Sequence, residues 1–488
     1  MEKERLIALY KKAKGIAPAK VEKLPGAGSN RQYYRLFAED GSTVIGCVGT
    51  SAEENSSFIA LTKSFESKDF GTPRLIACSD DEMCYLQEDL GDVSLFDILK
   101  ESRNKGGKYT LSEENLLSLV ISELPKIQFE GASEYVFSKC YPLYEMDELS
   151  IMFDLNYFKY NFLKLVGIEF NEIRLQEDFQ RLAESLLQEQ GNTFLYRDFQ
   201  ARNVMMRDGQ PYFIDYQGGR KGPIYYDVAS FLWQASANYS DELRAKLIKE
   251  YYHSLTYYLT ERSCPECYKG MTLARFTERL HQFVLFRLLQ VLGAYGYRGL
   301  WEKKKHFIDS IPPAIDNLRK EIELGTCDAY PYLKEIGLKL IESQPKPFKH
   351  DNLIVRVFSF SYKKGIPDDI SGNGGGYVFD CRSSNNPGRY AEYKTLTGLD
   401  QPVIDFLEKD GEILDFLSHI YPLVDFHTQR WLDRGFNDLQ ISCGCTGGQH
   451  RSVYSAQHIA EHLHEKFGVE VHLCHREQNI RQVFECAK

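Results

Sequence analysis

Asp198, Asn203 and Asp215 stand around the open ends of a short apolar hairpin, a spacing at which three oxygen-bearing side chains can converge. Val204-Met205-Met206 and Tyr212-Phe213-Ile214 are apolar runs. Between them, Arg207-Asp208-Gly209-Gln210 carries Asp-Gly, a strong signal for a two-residue turn. Asn203 enters one strand and Asp215 leaves the other, so their oxygens meet at one point, where hard ligands suit Mg²⁺. Asp198 lies on the loop feeding the hairpin, placed to accept the proton of a substrate hydroxyl. A surface hairpin with scattered polar residues is the bland alternative. Asp227, opening an apolar helix over 228–235, weighs against it.

This arrangement resembles the catalytic loop of kinase-like phosphotransferases, His-x-Asp-x4-Asn followed by an Asp after a β-hairpin. Here Tyr196 takes the first position, and the kinase Asp-Phe-Gly reads Asp215-Tyr216-Gln217. The elements that must position such a site lie upstream. A helix is expected over residues 1–16. Gly26, Gly28 and Ser29 then precede an alternating strand carrying Arg31 and Arg35, and a second strand follows the Asp40-Gly41 turn. Small residues let backbone N–H groups approach phosphate oxygens, and either arginine could add forked hydrogen bonds. The strand Thr43–Val48 lacks the Lys that kinases keep there, so Glu53 and Glu54 open the next helix without their usual partner. Met83–Gly91, with Glu88 and Asp89, reads as a strand ending in the hinge between two lobes, and residues 92–190 and 240–325 are mostly helical.

Composition bounds the rest. The 488 residues carry 43% hydrophobic and 26% charged side chains, which predicts a globular chain of several domains. A net charge of −10 argues against a general nucleic-acid binder. The charged N-terminus has no apolar core of a signal peptide. The run Phe283–Tyr297, interrupted by Arg287 and Gln290, is too short to span a membrane. Twelve dispersed cysteines fit reduced thiols in a cytoplasmic protein. Cys264-Pro-Glu-Cys267 has no second pair at zinc spacing, and His458 and His462 fit a solvated helix face better than a metal site.

Residues 1 to about 325 resemble the aminoglycoside phosphotransferase-like kinases, and within them the cell-wall amino-sugar anomeric kinases (AmgK type). The resemblance rests on Gly26, Ser29, Arg31, Tyr33 and Arg35, on Glu88-Asp89-Leu90-Gly91, on the Arg-Asp-x4-Asn loop and on the absent small-lobe Lys. It implies ATP-dependent phosphorylation of N-acetylmuramic acid or N-acetylglucosamine at the anomeric hydroxyl. The residues alone imply only transfer to a hydroxyl. Residues 326–350 read as a linker.

A second α/β unit follows, over 351–488. Strands are expected at Leu353–Phe360, Tyr377–Arg382 and Leu439–Gly444. The last runs into Cys445-Thr446-Gly447-Gly448-Gln449-His450-Arg451-Ser452 and a helix over 453–466. A glycine-rich loop at a helix N-terminus gathers free N–H groups for an anion, onto which Arg451 could fork. Cys-x5-Arg-Ser also fits a thiolate phosphatase. The unit resembles the C-terminal domain of the RNase adapter protein RapZ, through Asp380, Arg382, Asn386-Pro387, Leu396–Asp400, Gly444–Ser452 and His475-Arg476. That resemblance implies glucosamine-6-phosphate sensing by the loop with Asp380 and Arg382, and RNA binding in some members.

The expectation is thus an α+β two-lobed kinase-like domain (small lobe 1–87, hinge 87–91, large lobe 92–325) joined to an α/β domain with a strand–anion loop–helix site. It would use ATP and Mg²⁺ on an amino sugar and bind a phosphosugar. A pseudokinase scaffold, an RNA-binding adapter and a thiolate phosphatase at Cys445 stand as alternatives.

Overall fold

The alternating stretches near the N-terminus pair as an antiparallel sheet. Its strands are β1 (Lys20–Lys23), β2 (Gln32–Phe37), β3 (Thr43–Val48), β4 (Leu75–Cys78) and β5 (Cys84–Glu88), in the order β1-β2-β3-β5-β4. The helix Glu2–Lys14 lays Leu6, Leu9 and Tyr10 on one face of it. The helix Ala52–Glu66 follows β3, its first turn capped by the Ser51 side chain. This computed structural model describes residues 2–25, 31–189, 191–261, 264–343, 353–369 and 375–486. The glycine-loop residues Gly26, Gly28 and Ser29 lie outside them.

The large lobe is helical apart from two ribbons. One pairs β6 (Thr193–Leu195) with a later strand, Arg220–Gly222. The other pairs β7 (Val204–Arg207) with β8 (Gln210–Phe213). Asp208 and Gly209 join that hairpin with φ of 53° and 76°, the two positive values a type I′ turn requires. Arg220–Gly222 is β9.

The first unit runs to residue 344 rather than to 325. Residues 326–343 were expected to belong to a linker, yet Pro331–Ser343 is a helix whose Leu333, Ile336 and Leu340 are buried. Its N-terminus is capped from elsewhere in the chain: Asp178 Oδ2 accepts the Tyr332 and Leu333 amides at 2.7 and 2.9 Å. No local residue of the 326–343 segment signals that cap, because the carboxylate comes from the helix Glu172–Leu187.

The second unit is a mixed sheet in the order β11-β12-β10-β13-β14, from β10 (Ile354–Ser361), β11 (Tyr377–Asp380), β12 (Asp438–Cys445), β13 (Glu470–His475) and β14 (Ile480–Phe484). The first four are parallel and β14 is antiparallel at one edge. Register places Ser361 opposite Cys445 and Asp380 opposite Gly444, so the strand ends expected to carry chemistry share one edge. Ligands of parallel sheets bind beyond such carboxyl ends. All twelve cysteines are free thiols, and no described helix is long and apolar enough to cross a membrane.

Asp178→Ala should lower the urea-unfolding stability of the first unit by about 1–3 kcal/mol, because two buried amides lose their acceptor. An unchanged unfolding midpoint would show that this cap does not hold the last helix.

Candidate functional site

The catalytic loop is held from below by Asp227. Its buried carboxylate accepts the Tyr196 and Arg197 amides, each at 2.8 Å. Those bonds fix Arg197 at φ 75°, a left-handed value uncommon outside glycine. Burial pushes the Asp227 carboxyl up to about 7, against the pull of the two amides. Tyr196, in the place of the kinase His, donates its hydroxyl to the Ile214 carbonyl and so ties the loop to the chain entering Asp215.

Asn203 and Asp215 meet as their spacing predicts. Asn203 Nδ2 donates to Asp215 Oδ2 at 3.3 Å and to the Asp198 carbonyl at 2.8 Å, bringing all three positions together. Asp215 also accepts the Gln217 amide at 2.8 Å. Burial raises the Asp215 carboxyl above its ordinary range, and the charge of Asp198 adds to the shift. A buried carboxylate beside another and beside an amide oxygen is a hard donor set that a divalent cation would neutralise, so the residues fit Mg²⁺. Asp198 is 45% exposed, open to an incoming hydroxyl, with Arg287 Nη2 at 3.8 Å from its Oδ1. Arg287 is itself buried and donates to the Tyr226 hydroxyl at 2.8 Å and to Gln290 at 2.7 Å. Asp227 as loop anchor and Arg287 as the partner of Asp198 were not foreseen as site residues. Arg287 was visible in the sequence as the one charge within the apolar run Phe283–Leu292.

The missing small-lobe Lys has a substitute. Arg31, only 4% exposed, places Nη2 3.0 Å from Glu54 Oε1 on the helix that follows β3. The same helix packs on the segment after the hairpin: Phe58 stacks on Tyr216 at 5.3 Å, and Thr62 and Tyr216 share a hydrogen bond of 2.6 Å. The charges of Arg31 and Glu54 are both felt at Asp215. Arg35 differs from expectation. Its guanidinium is bound by Asp89 at 2.6 Å and Asp92 at 2.8 Å, which turns it toward the hinge instead of a phosphate. Asp89 is occupied by that pair. Glu88 is held by Arg207 of the hairpin at 2.8 Å and Arg74 at 3.2 Å, so both hinge carboxylates act as struts between lobes.

In the second unit the loop after β12 curls around a thiol. Cys445 Sγ accepts the Gly448 amide at 3.2 Å and lies 3.2 Å from Ser452 Oγ. Burial alone would raise the Cys445 thiol, but bonds from the Ser452 hydroxyl and from the Ser452, Gln449 and Gly448 amides outweigh it and lower it. Gly448 has φ 68°, and a Cβ there would lie 2.8 Å from the Ser361 nitrogen, so the nest requires glycine.

Arg451 corrects the sequence reading. It donates to the Arg382 and Ser384 carbonyls at 3.0 and 2.8 Å and is 5% exposed, so it braces the turn after β11 and does not fork onto an anion. Gln449 and His450 likewise spend their side chains on the carbonyls of Lys394, Leu396 and Tyr393. Thr446 and Gly447 lend the loop its backbone, the Thr446 carbonyl accepting Ser361 Oγ at 2.7 Å. The half-exposed Asp380 and Arg382 pair with each other at 2.6 Å, and that bond holds the Asp380 carboxyl below its ordinary range. His475 is buried and held neutral, its pKa pushed down to about 4 by burial, between Ser359 and Gln457.

A family model described as the phosphotransferase enzyme family matches residues 162–263, which include the whole catalytic constellation. Another, the RapZ C-terminal domain, matches residues 353–479. The chain joins a phosphotransferase-family segment to a RapZ C-terminal domain. A nucleotide-binding protein of Xanthomonas euvesicatoria is 39% identical over 134 residues, 27% of this chain and 44% of that one. One of Bacillus cytotoxicus is 35% identical over 168 residues, 34% and 53%. The chain therefore spans about half or less of the length of these relatives. Among solved structures, a putative aminoglycoside phosphotransferase of Ralstonia eutropha is 14% identical, with a TM-score of 0.44 over 69% of this chain and 98% of that one. Choline kinase of Cryptosporidium parvum is 12% identical, with a TM-score of 0.42 over 65% and 93%.

Two substitutions probe the two units. Arg31→Met should raise the KM for ATP by about tenfold or more, since a charge-assisted contact of this kind contributes ~1.5–3 kcal/mol. Arg31→Lys should recover part of it. An unchanged KM in Arg31→Met would exclude Arg31 from the nucleotide site. Arg451→Ala should lower the melting temperature of the second unit through two lost buried hydrogen bonds. A wild-type melting curve for that variant would show that the brace is dispensable.

Proposed function

We propose that the first unit is an ATP- and Mg²⁺-dependent kinase acting on a hydroxyl of an amino sugar of the N-acetylmuramic acid or N-acetylglucosamine type, within cell-wall recycling, and that the second binds a phosphosugar such as glucosamine-6-phosphate in the cytoplasm. The observation that carries the kinase reading is the meeting of Asp198, Asn203 and Asp215 beside a buried Arg31–Glu54 pair. The same pair weighs against a pseudokinase, because a cation stands where the absent Lys would have been needed.

In this reading Asn203 and Asp215 hold the metal, which would neutralise phosphate charge when bound. Asp198 orients the acceptor hydroxyl and takes its proton. Arg287 steadies the Asp198 carboxylate, and Asp227 keeps the loop in its one productive shape. Arg31, Glu54 and the residues before them face the nucleotide, with Gly26, Gly28 and Ser29 proposed for its phosphates and the backbone at Glu88 and Asp89 for its base.

In the second unit, the amide nest, Asp380 and Arg382 fit a phosphosugar as ligands. A phosphatase would need a proton donor for the leaving oxygen. Asp380 is held in its charged form by Arg382, and Arg451 is committed to backbone carbonyls. Both facts favour binding over hydrolysis. The name of the nucleotide-binding relatives adds a nucleotide to the ligands worth titrating against this unit.

Asp198→Asn should cut kcat by about 10²–10⁴-fold while leaving ATP affinity near wild type. Asp215→Asn should weaken Mg²⁺·ATP binding as well. Wild-type rates of amino-sugar phosphorylation in both variants would refute the assignment.

A further inference from the structure

Arg220, the first residue of β9, is 3% exposed, yet among the described residues no carboxylate lies within ion-pair distance of it. Its guanidinium reaches only the Gly218 carbonyl, with Nε and Nη2 at 3.4 and 3.3 Å. It lines one hollow with Arg197, Asp154, Ser150 and Tyr226. Arg197, next to the catalytic Asp198, has Asp154 Oδ1 at 3.6 Å, and Arg287 bonds the Tyr226 hydroxyl while facing Asp198. Arg197 feels Asp154, Asp198 and Arg287, whereas Asp215 feels Asp198, Arg31 and Glu54. Asp198 therefore stands between two sets of charges, and the nucleotide side already owns the second set.

The first set is unbalanced. Arg197 and Arg220 share a single carboxylate, Asp154, and burial together with the charge of Arg197 presses the Arg220 guanidinium down to about 10. A buried, uncompensated guanidinium is costly unless an anion completes it. Arg220 is also not a helix cap or a lobe strut, since its only protein partner is a carbonyl two residues away.

We propose that Arg220 and Arg197 receive an oxyanion carried by the acceptor, a carboxylate or a phosphate, so that the sugar presented to Asp198 is an acid. The proposal rests on the reading of Asp198 as the residue facing the acceptor hydroxyl. It also sets this centre against polycationic acceptors, which would meet three guanidiniums there.

The test uses the full chain with Mg²⁺·ATP and two acceptors that differ by a lactyl carboxylate, N-acetylmuramic acid and N-acetylglucosamine, with glucosamine-6-phosphate as the phosphate arm. Wild type should favour an acidic sugar over the neutral one in kcat/KM, and whichever acid is preferred identifies carboxylate or phosphate as the group read. Arg220→Gln should lose about tenfold or more on that acid and about twofold or less on the neutral sugar, through KM more than kcat, with Arg220→Lys partly restoring it. Equal losses on both sugars, or none, overturn the proposal. Should no sugar be phosphorylated, the kinase reading fails by itself. Calorimetric titration of N-acetylmuramic acid then decides the subsite: binding that Arg220→Gln or Arg197→Gln removes supports it, and binding that is absent or indifferent to both overturns it.

Discussion

The Asp227 carboxylate, fully buried in the first turn of the helix Tyr225–Leu232, accepts two consecutive amides of the catalytic loop. Everything at the active centre depends on that pair of bonds. They hold Arg197 in a left-handed conformation, which sets the direction of Asp198, and Asn203 then reaches back to the Asp198 carbonyl and across to Asp215. The arrangement has a thermodynamic cost. The Asp227 carboxyl lies near 7 in the folded chain against 3.8 ordinarily, so this group withdraws stability as pH rises from 3.8 toward 7 and withdraws none below that window. A loop anchored by an expensive buried charge is a device for geometry, and geometry is what phosphoryl transfer needs most.

The small lobe solves a second problem with unusual residues. β3 offers no Lys, and its Gly46 leaves no side chain to carry one. The cation comes instead from the start of the neighbouring chain segment: Arg31 reaches Glu54, and the helix bearing Glu54 packs through Phe58 and Thr62 on Tyr216. A guanidinium gives a planar fork where a Lys gives a point charge. The pairing couples helix position to Asp215, so the nucleotide side and the metal side of the centre move as one packed block.

Local patterns carried the hairpin, the Asp-x4-Asn spacing, the five strands of the first sheet and the strand–loop–helix of the second unit, because turn chemistry and alternation are written within a few residues. Arg31 was a candidate on position alone and its partner Glu54 was seen as lacking one; only folding brings them together. Arg35, Gln449, His450 and Arg451 looked like ligands because a sequence shows a side chain's type but not where its hydrogen bonds go. In the structure, asparagine-like and arginine donors near glycine loops are spent on carbonyls and carboxylates from residues 50 or more positions away. The helix Pro331–Ser343 was read as linker for the same reason, its capping carboxylate being 154 residues distant. Arg220 escaped notice because the feature that singles it out, burial without a carboxylate, has no local signature.

Both units build their sites from backbone nitrogen and buried charge, one around a carboxylate, the other around a thiol, and each site lies at the end of strands that the core fixes. The central claim is that the first of these sites transfers phosphate from ATP to a sugar hydroxyl. Phosphorus NMR of the full chain with Mg²⁺·ATP and N-acetylmuramic acid tests it most directly. The account predicts a new phosphomonoester resonance, split by a sugar proton and growing in step with ADP. ADP accompanied only by inorganic phosphate, or an unchanged ATP spectrum across the amino sugars, would contradict it.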